Sequence, residues 1–82
     1  MAEVSKNEHS ESIKYLEQAA KMAKDSDPVA ESYIYFDMAN QYSLMNEKIK
    51  SLQYYKECLL RAKNNRDKEL MEKLKQLTDK LN

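Results

Sequence analysis

Apolar side chains recur at spacings of three and four residues in four successive segments of this 82-residue chain. The last of these segments carries Leu70, Leu74, Leu77 and Leu81. Such spacing places the apolar groups on one stripe of an α-helix. The chain also has no Gly and one Pro, so it contains few residues suited to tight hairpin turns. The pattern predicts an all-α fold of about four helices.

Residues with helix-capping chemistry separate the four segments. Asp27 is placed to cap a helix that begins at Pro28, where the missing N–H of proline costs nothing. Asn46 tolerates the left-handed backbone that ends helices, Asn64-Asn65 is the predicted next turn, and Asp67 is a second cap. These signals predict helices at about 10–25, 28–45, 47–64 and 67–81. We expect short loops to make them antiparallel neighbours in one domain, 10–82, after a flexible polar lead-in, 1–9.

Composition restricts the partners and the compartment. The chain has 14 acidic and 14 basic side chains, so no net positive charge attracts it to nucleic acid. No apolar run approaches the roughly 20 residues that span a bilayer, and the polar start of the chain lacks a secretory core. A single cysteine cannot form an internal disulfide. We expect an intracellular, soluble protein that neither binds nucleic acid nor inserts into membranes.

No constellation of catalytic or metal-binding residues is evident. His9 is the only histidine, and it has no partners nearby in the lead-in. Cys58 falls on the inner stripe of the third helix and is expected to be a buried small side chain. Met22, Met38, Met45 and Met71 are predicted core residues, with Met45 left open. The sequence predicts a non-enzyme without cofactor or metal.

A shift of 39 positions aligns the chain with itself. It places Ser12 on Ser51, Tyr15 on Tyr54, Ala23 on Ala62 and Lys24 on Lys63. The hydrophobic phase persists through the following turn and the next helix. A repeat of this length indicates stacked helical hairpins.

Residues 32–65 resemble one tetratricopeptide repeat. The matching positions are Tyr35, Met38-Ala39, Tyr42, Asn46, Ser51, Tyr55 and Cys58. The family proline is absent, since Lys63 stands there, and neither family glycine is present. Residues 12–25 resemble the second helix of a preceding repeat, and 67–81 a following first helix or a cap. The resemblance implies a short tetratricopeptide-like array of roughly one and a half to two repeats with a terminal capping helix.

The second helix carries the best functional signal. Its candidate partner-binding residues are Tyr33, Phe36, Asp37, Asn40, Ser43 and Leu44. In the family that the chain resembles, the first helix of each hairpin lines a groove, and an Asn at the position of Asn40 binds the backbone of an extended peptide. Alternatively, Tyr33 and Phe36 pack on the first helix, and Asn40 is a plain surface residue.

Two functions follow. The first is a non-catalytic interaction module that binds a peptide or helix of a partner protein. The alternative is a structural module that self-associates, as a homo-oligomer, through its exposed end helices. The last helix bears on both, because its four leucines can pair with another copy or cover the third helix of the same chain, and we favour the intrachain cap.

Overall fold

The computed structural model describes residues 6–81, with side chains described for residues 8–80. It contains four helices, α1 Lys6–Ala23, α2 Pro28–Leu44, α3 Lys48–Asn65 and α4 Lys68–Leu81. This range contains no strand, which confirms the predicted all-α class. None of the helices in the described range combines the length and apolar character that crossing a bilayer requires.

The predicted caps form as local hydrogen bonds. The Ala30 amide donates to Oδ1 of Asp27 at 3.1 Å, and Pro28 opens α2. The Leu70 amide donates to Oδ1 of Asp67 at 3.2 Å before α4. Asn46 has the positive φ, 63°, that its predicted place at a helix end requires. These bonds satisfy amides that the first turn of a helix leaves without a partner, so the predicted starts of α2 and α4 are confirmed to within one residue.

The turn between α3 and α4 differs from the prediction. Arg66, and not Asn64 or Asn65, adopts the left-handed conformation, with φ 57°. The amides of Arg66 and Asp67 donate back to carbonyls of the last turn of α3. Asn65 remains helical, and its side-chain amide donates to the Pro28 carbonyl at 3.0 Å, which ties the end of α3 to the start of α2.

Helix α1 begins at Lys6, so residues 6–9 are helical, while residues 1–5 lie outside the described range. The expectation that His9 has no partner is wrong. Its imidazole is 9% exposed, and Nδ1 lies 2.5 Å from Oε1 of Gln41 in α2. This contact joins residues that are 32 positions apart in the chain. It lies in the first part of α1, before the apolar stripe of that helix begins.

The helices pack in chain order, each on its neighbours. In the described range no Cα–Cα distance of 8 Å or less joins α1 to α3 or α4, or α2 to α4. Helices α2 and α3 cross most closely, where Oγ of Ser51 donates to the Ala39 carbonyl at 2.9 Å. Further along the same two helices, Sγ of Cys58 donates to the Ser32 carbonyl at 3.1 Å. From the first bond to the second, the residue number rises in α3 and falls in α2, so the two helices are antiparallel.

Helix α4 packs against α3 beside the α2–α3 crossing. Leu70 and Leu74 are each 1% exposed and pack in a cluster with Tyr55, Cys58 and Ala62. The favoured intrachain packing of these two leucines is thus confirmed. Leu77 is partly buried against the same cluster, and the Leu81 side chain lies outside the described residues.

At the opposite end of the bundle, α1 packs on α2 alone among the described helices. Met22 is 81% exposed and Tyr15 is 74% exposed. The prediction that Met22 fills the core is wrong for this reason. Met38 is buried as predicted, and Met45 and Met71 are partly buried.

The α2–α3 crossing yields a first prediction. We expect Ala39→Leu to lower the free energy of unfolding by ~1–3 kcal/mol, because a fully buried methyl at a close crossing leaves no room for a larger group. Chemical denaturation measures the change. Gln53→Leu at an exposed position of α3 is the matched control and should be nearly neutral. Equal effects of the two substitutions would contradict the close crossing.

The cap yields a second prediction. Leu74→Ala should cost about 2–5 kcal/mol, as truncation of a buried leucine does. Leu60→Ala removes the same atoms from a side chain that is 59% exposed and should cost far less. Thermal and urea unfolding of both variants give the comparison. A Leu74→Ala protein as stable as Leu60→Ala would place α4 away from the core.

Candidate functional site

Helix α2 is one of the two inner helices, with α1 and α3 as neighbours, and one arc of its surface remains open. Met38 and Ala39 are buried toward its two neighbours, α1 and α3. On the open arc, Val29 is 49% exposed, Tyr33 40% and Leu44 68%. Single exposed apolar side chains are ordinary, but here three share one side of one helix. This open arc of α2 contains the residues predicted to bind a partner.

Asn40 is held in place by the core. The hydroxyl of Tyr55, a side chain only 2% exposed, donates to Oδ1 of Asn40. The Tyr55 ring also packs edge to face against Phe36, with centroids 5.9 Å apart. Since Oδ1 of Asn40 accepts this bond, the amide plane is fixed and Nδ2 makes no hydrogen bond with a described residue. Asn40 therefore presents two oriented N–H donors from a half-buried position.

Asp37 lies on the other side of the open arc, in a groove between α1 and α2. The groove, about 580 Å³ in volume, is lined by Glu8, Glu11, Ser12, Tyr15, Leu16, Asp37 and Gln41. Loss of water around Asp37 raises the pKa of its carboxyl, and Asp37 forms no ion pair with a described residue. The carboxylate is thus partly desolvated without a cation in compensation.

The structure divides the predicted site residues into four groups. Phe36 and Asn40 lean toward α3, whereas Asp37 faces the α1–α2 groove. Tyr33 lies beside the start of α4, where partial desolvation and then the charge of Asp67 raise the pKa of its hydroxyl. Ser43 and Leu44 are exposed at the end of α2.

The alternative placement of Tyr33 and Phe36 on the first helix is not what the structure shows. The Phe36 ring contacts α3 rather than α1, and Tyr33 stays 40% exposed. Asn40, which that alternative made a plain surface residue, is bonded to the core. Because Phe36 and Asn40 meet Tyr55 of α3 whereas Tyr33 lies near Asp67, the stripe alone could not assign their contacts.

Three tyrosines, Tyr35 and Tyr42 of α2 and Tyr54 of α3, form a row on the opposite side of α2. Tyr54 of α3 stacks between Tyr42 and Tyr35 of α2, at centroid distances of 5.1 and 6.0 Å. Lys50 lies 5.6 Å from the Tyr42 ring at one end, and Arg61 lies 4.0 Å from the Tyr35 ring at the other. Both tyrosines of α2 are only partly buried, because Tyr35 lines a cleft between α1 and α3 and Tyr42 lines a second cleft beside Ile13 of α1 and Lys50 of α3. In the sequence, the signal for this row was the seven-residue spacing of Tyr35 and Tyr42 on α2.

Arg61 is fixed by carboxylates. Its Nη1 lies 2.7 Å from Oε2 of Glu57, and its Nε lies 3.2 Å from Oε1 of Glu31, out of line for a hydrogen bond. Glu31 is 8% exposed, so this pair is largely desolvated. The guanidinium on Tyr35 adds a cation–π contact. This cluster joins α2 to α3 and leaves Arg61 little capacity for a ligand.

Cys58, the one thiol, is shielded. It is 0% exposed, its Sγ donates to the Ser32 carbonyl, and burial raises its pKa to about 12. A thiol in this state is protonated near neutral pH and is a poor nucleophile. The predicted burial of Cys58 is confirmed, and no group of His, Cys, Asp and Glu suited to a metal ion occurs among the described residues.

Comparisons of the chain with protein-family models, with curated proteins and with solved structures find no match. The tetratricopeptide resemblance therefore stays a prediction.

Asp37 yields a third prediction. Its folded-state pKa is raised, so the folded chain binds more protons than the unfolded chain between the ordinary value, about 3.9, and the raised value. Stability falls as pH rises through that window, and the penalty persists at neutral pH. Asp37→Asn should consequently raise the melting temperature at about pH 7 and have little effect at about pH 3.

Glu72→Gln is the matched control, because it removes the same charge from an exposed position of α4. Melting curves of both variants at the two pH values give the result. A melting temperature that falls at neutral pH in Asp37→Asn alone would mean that the carboxylate stabilises the fold.

Proposed function

We propose that this chain is a non-catalytic protein-interaction module that binds a segment of a partner protein along the open arc of α2. The observation that carries the proposal is the Asn40 amide, oriented by Tyr55 and flanked by exposed apolar side chains. A peptide carbonyl is a natural acceptor for the Nδ2 donors of Asn40. Tyr33 and Leu44 then offer apolar contact on either side, at 40% and 68% exposure.

Rigidity behind the arc supports this proposal. Binding is stronger when the groups that contact the ligand are already ordered. Phe36 is held by the Tyr55 ring, and α2 is fixed on α3 through the Ser51–Ala39 and Cys58–Ser32 bonds. A partner segment would consequently meet a preformed surface.

Two further observations agree with a binding role rather than catalysis. His9 is engaged with Gln41, and Cys58 is a buried, protonated thiol. A free buried thiol also suits the reducing interior of a cell, where we place this module. We assign it no cofactor.

The tetratricopeptide-like architecture is part of the proposal. It is supported by packing in strict chain order, by small buried residues at the α2–α3 crossing, and by a last helix that covers the array. Repeat arrays need such a terminal helix because each hairpin otherwise leaves an apolar face open. An array of this kind acts as a scaffold or adaptor.

Self-association is the second candidate. It would not use α4, because Leu70 and Leu74 are already buried within the chain. The exposed Tyr15 and Met22 favour α1 instead, which is the uncovered end of the array. Sedimentation of the isolated chain separates the two candidates, since a monomer at high concentration leaves only the first.

The fourth prediction tests the open arc. Peptides selected from a random display library on the wild-type chain should lose affinity about five- to tenfold for Asn40→Ala, the effect of one or two lost hydrogen bonds. Tyr55→Phe keeps the ring but releases the Asn40 amide and should cause a smaller loss. Fluorescence anisotropy with the selected peptides measures both effects, and melting curves confirm that each variant folds.

Gln76→Ala, at an exposed position of α4, is the control and should bind like wild type. Selected peptides that bind Asn40→Ala and wild type equally would overturn the assignment of the arc. A selection that yields no peptide with reproducible affinity would count against the module as a peptide binder.

A further inference from the structure

The groove between α1 and α2 has an acidic rim and a partly apolar lining. Its carboxylates are Glu8, Glu11 and Asp37, and no lysine or arginine lines it in the described part of the chain. The whole chain has equal numbers of acidic and basic side chains, so this local excess of negative charge is a property of the groove. An anionic surface repels phosphate groups and attracts cationic ones.

Local helix stability explains one of these carboxylates but not the other two. Glu8 lies in the first turn of α1, where a negative charge is favourable beside the positive end of the helix dipole. Glu11 is beyond that turn, and Asp37 lies in the interior of α2. Neither of these two forms an ion pair with a described residue.

Tyr15 and Leu16 make the groove more than a charged patch. Tyr15 is 74% exposed at the edge of the groove, and Leu16 is half-buried in the wall of the groove. An exposed tyrosine face attracts ammonium and guanidinium groups as well as apolar ones. The aromatic ring and the carboxylates thus favour the same class of ligand through different interactions.

We propose that the α1–α2 groove binds a lysine- or arginine-bearing segment of a partner protein, with the cationic group between Glu11 and Asp37 and an apolar neighbour on Tyr15 and Leu16. This inference rests on the proposed function, because Asp37 joins the groove to the open arc of α2. Asp37 is exposed and therefore accessible to a ligand, and its partly desolvated carboxylate gains a counter-ion on binding.

Three labelled synthetic peptides with identical leucine positions test the proposal. They differ only in carrying lysine, glutamine or glutamate at the same remaining positions. The lysine peptide should bind the wild-type chain, more weakly as salt rises, and should shift amide NMR signals of residues that line the groove. The glutamine peptide should bind at least about fivefold more weakly, and the glutamate peptide more weakly still.

The matched variants are two double substitutions with the same change in charge. Glu11→Gln with Asp37→Asn should lower the affinity for the lysine peptide about five- to tenfold. Glu72→Gln with Asp79→Asn, at exposed positions of α4, should leave it unchanged. Equal affinity for the lysine and glutamine peptides would overturn the proposal, as would equal losses in the two double variants.

Asn40→Ala separates this inference from the function on which it rests. If the lysine peptide depends on Glu11 and Asp37 but not on Asn40, the groove assignment stands and the role of the open arc fails. If display-selected peptides depend on Asn40 but bind the Glu11→Gln, Asp37→Asn variant like wild type, the open arc stands and the groove assignment is overturned.

Discussion

The close crossing of α2 and α3 is the constraint on which the rest of the structure depends. Ala39 and Ser51 are both 0% exposed, and the serine hydroxyl bonds directly to the alanine carbonyl. Backbones can approach this closely only where side chains are small, because larger groups would separate the helices. The crossing brings Tyr55 under Asn40 and Phe36, and Tyr54 between Tyr35 and Tyr42. The open arc and the tyrosine row are thus both consequences of one helix pair.

The two ends of the four-helix bundle differ. At one end, Leu70 and Leu74 of α4 pack on α3, and charged side chains of α4 are exposed. At the other end, α1 packs only on α2 and leaves Tyr15 and Met22 exposed. A chain built this way is closed toward α4 and open toward α1. The acidic groove also lies beside α1, at the same end as these exposed side chains.

What could be predicted from the sequence was local. Caps act within three or four residues, so Asp27 and Asp67 located the starts of two helices, and small residues on an apolar stripe located the crossing. Contacts between distant segments could not be read in this way. His9 gains its partner Gln41 only when α1 folds against α2, and the role of Asp37 depends on which α1 side chains face it. Arg66 takes the left-handed turn because neighbouring Asn65 is held helical by its bond to Pro28.

The candidate site was predictable as a stripe but not as a surface. Six residues of α2 fall on one side of the helix, yet their chemistry is set by what stands opposite. A tyrosine hydroxyl fixes Asn40, whereas Asp37 meets only carboxylates, a phenol ring and amides or hydroxyls across the groove. Asn40 therefore accepts a hydrogen bond through Oδ1 and can still donate through Nδ2. Asp37, in contrast, is left without a cation. A partner segment that supplies a carbonyl to Asn40 and a positive charge to Asp37 would complete both, and these two positions are three residues apart on the same helix.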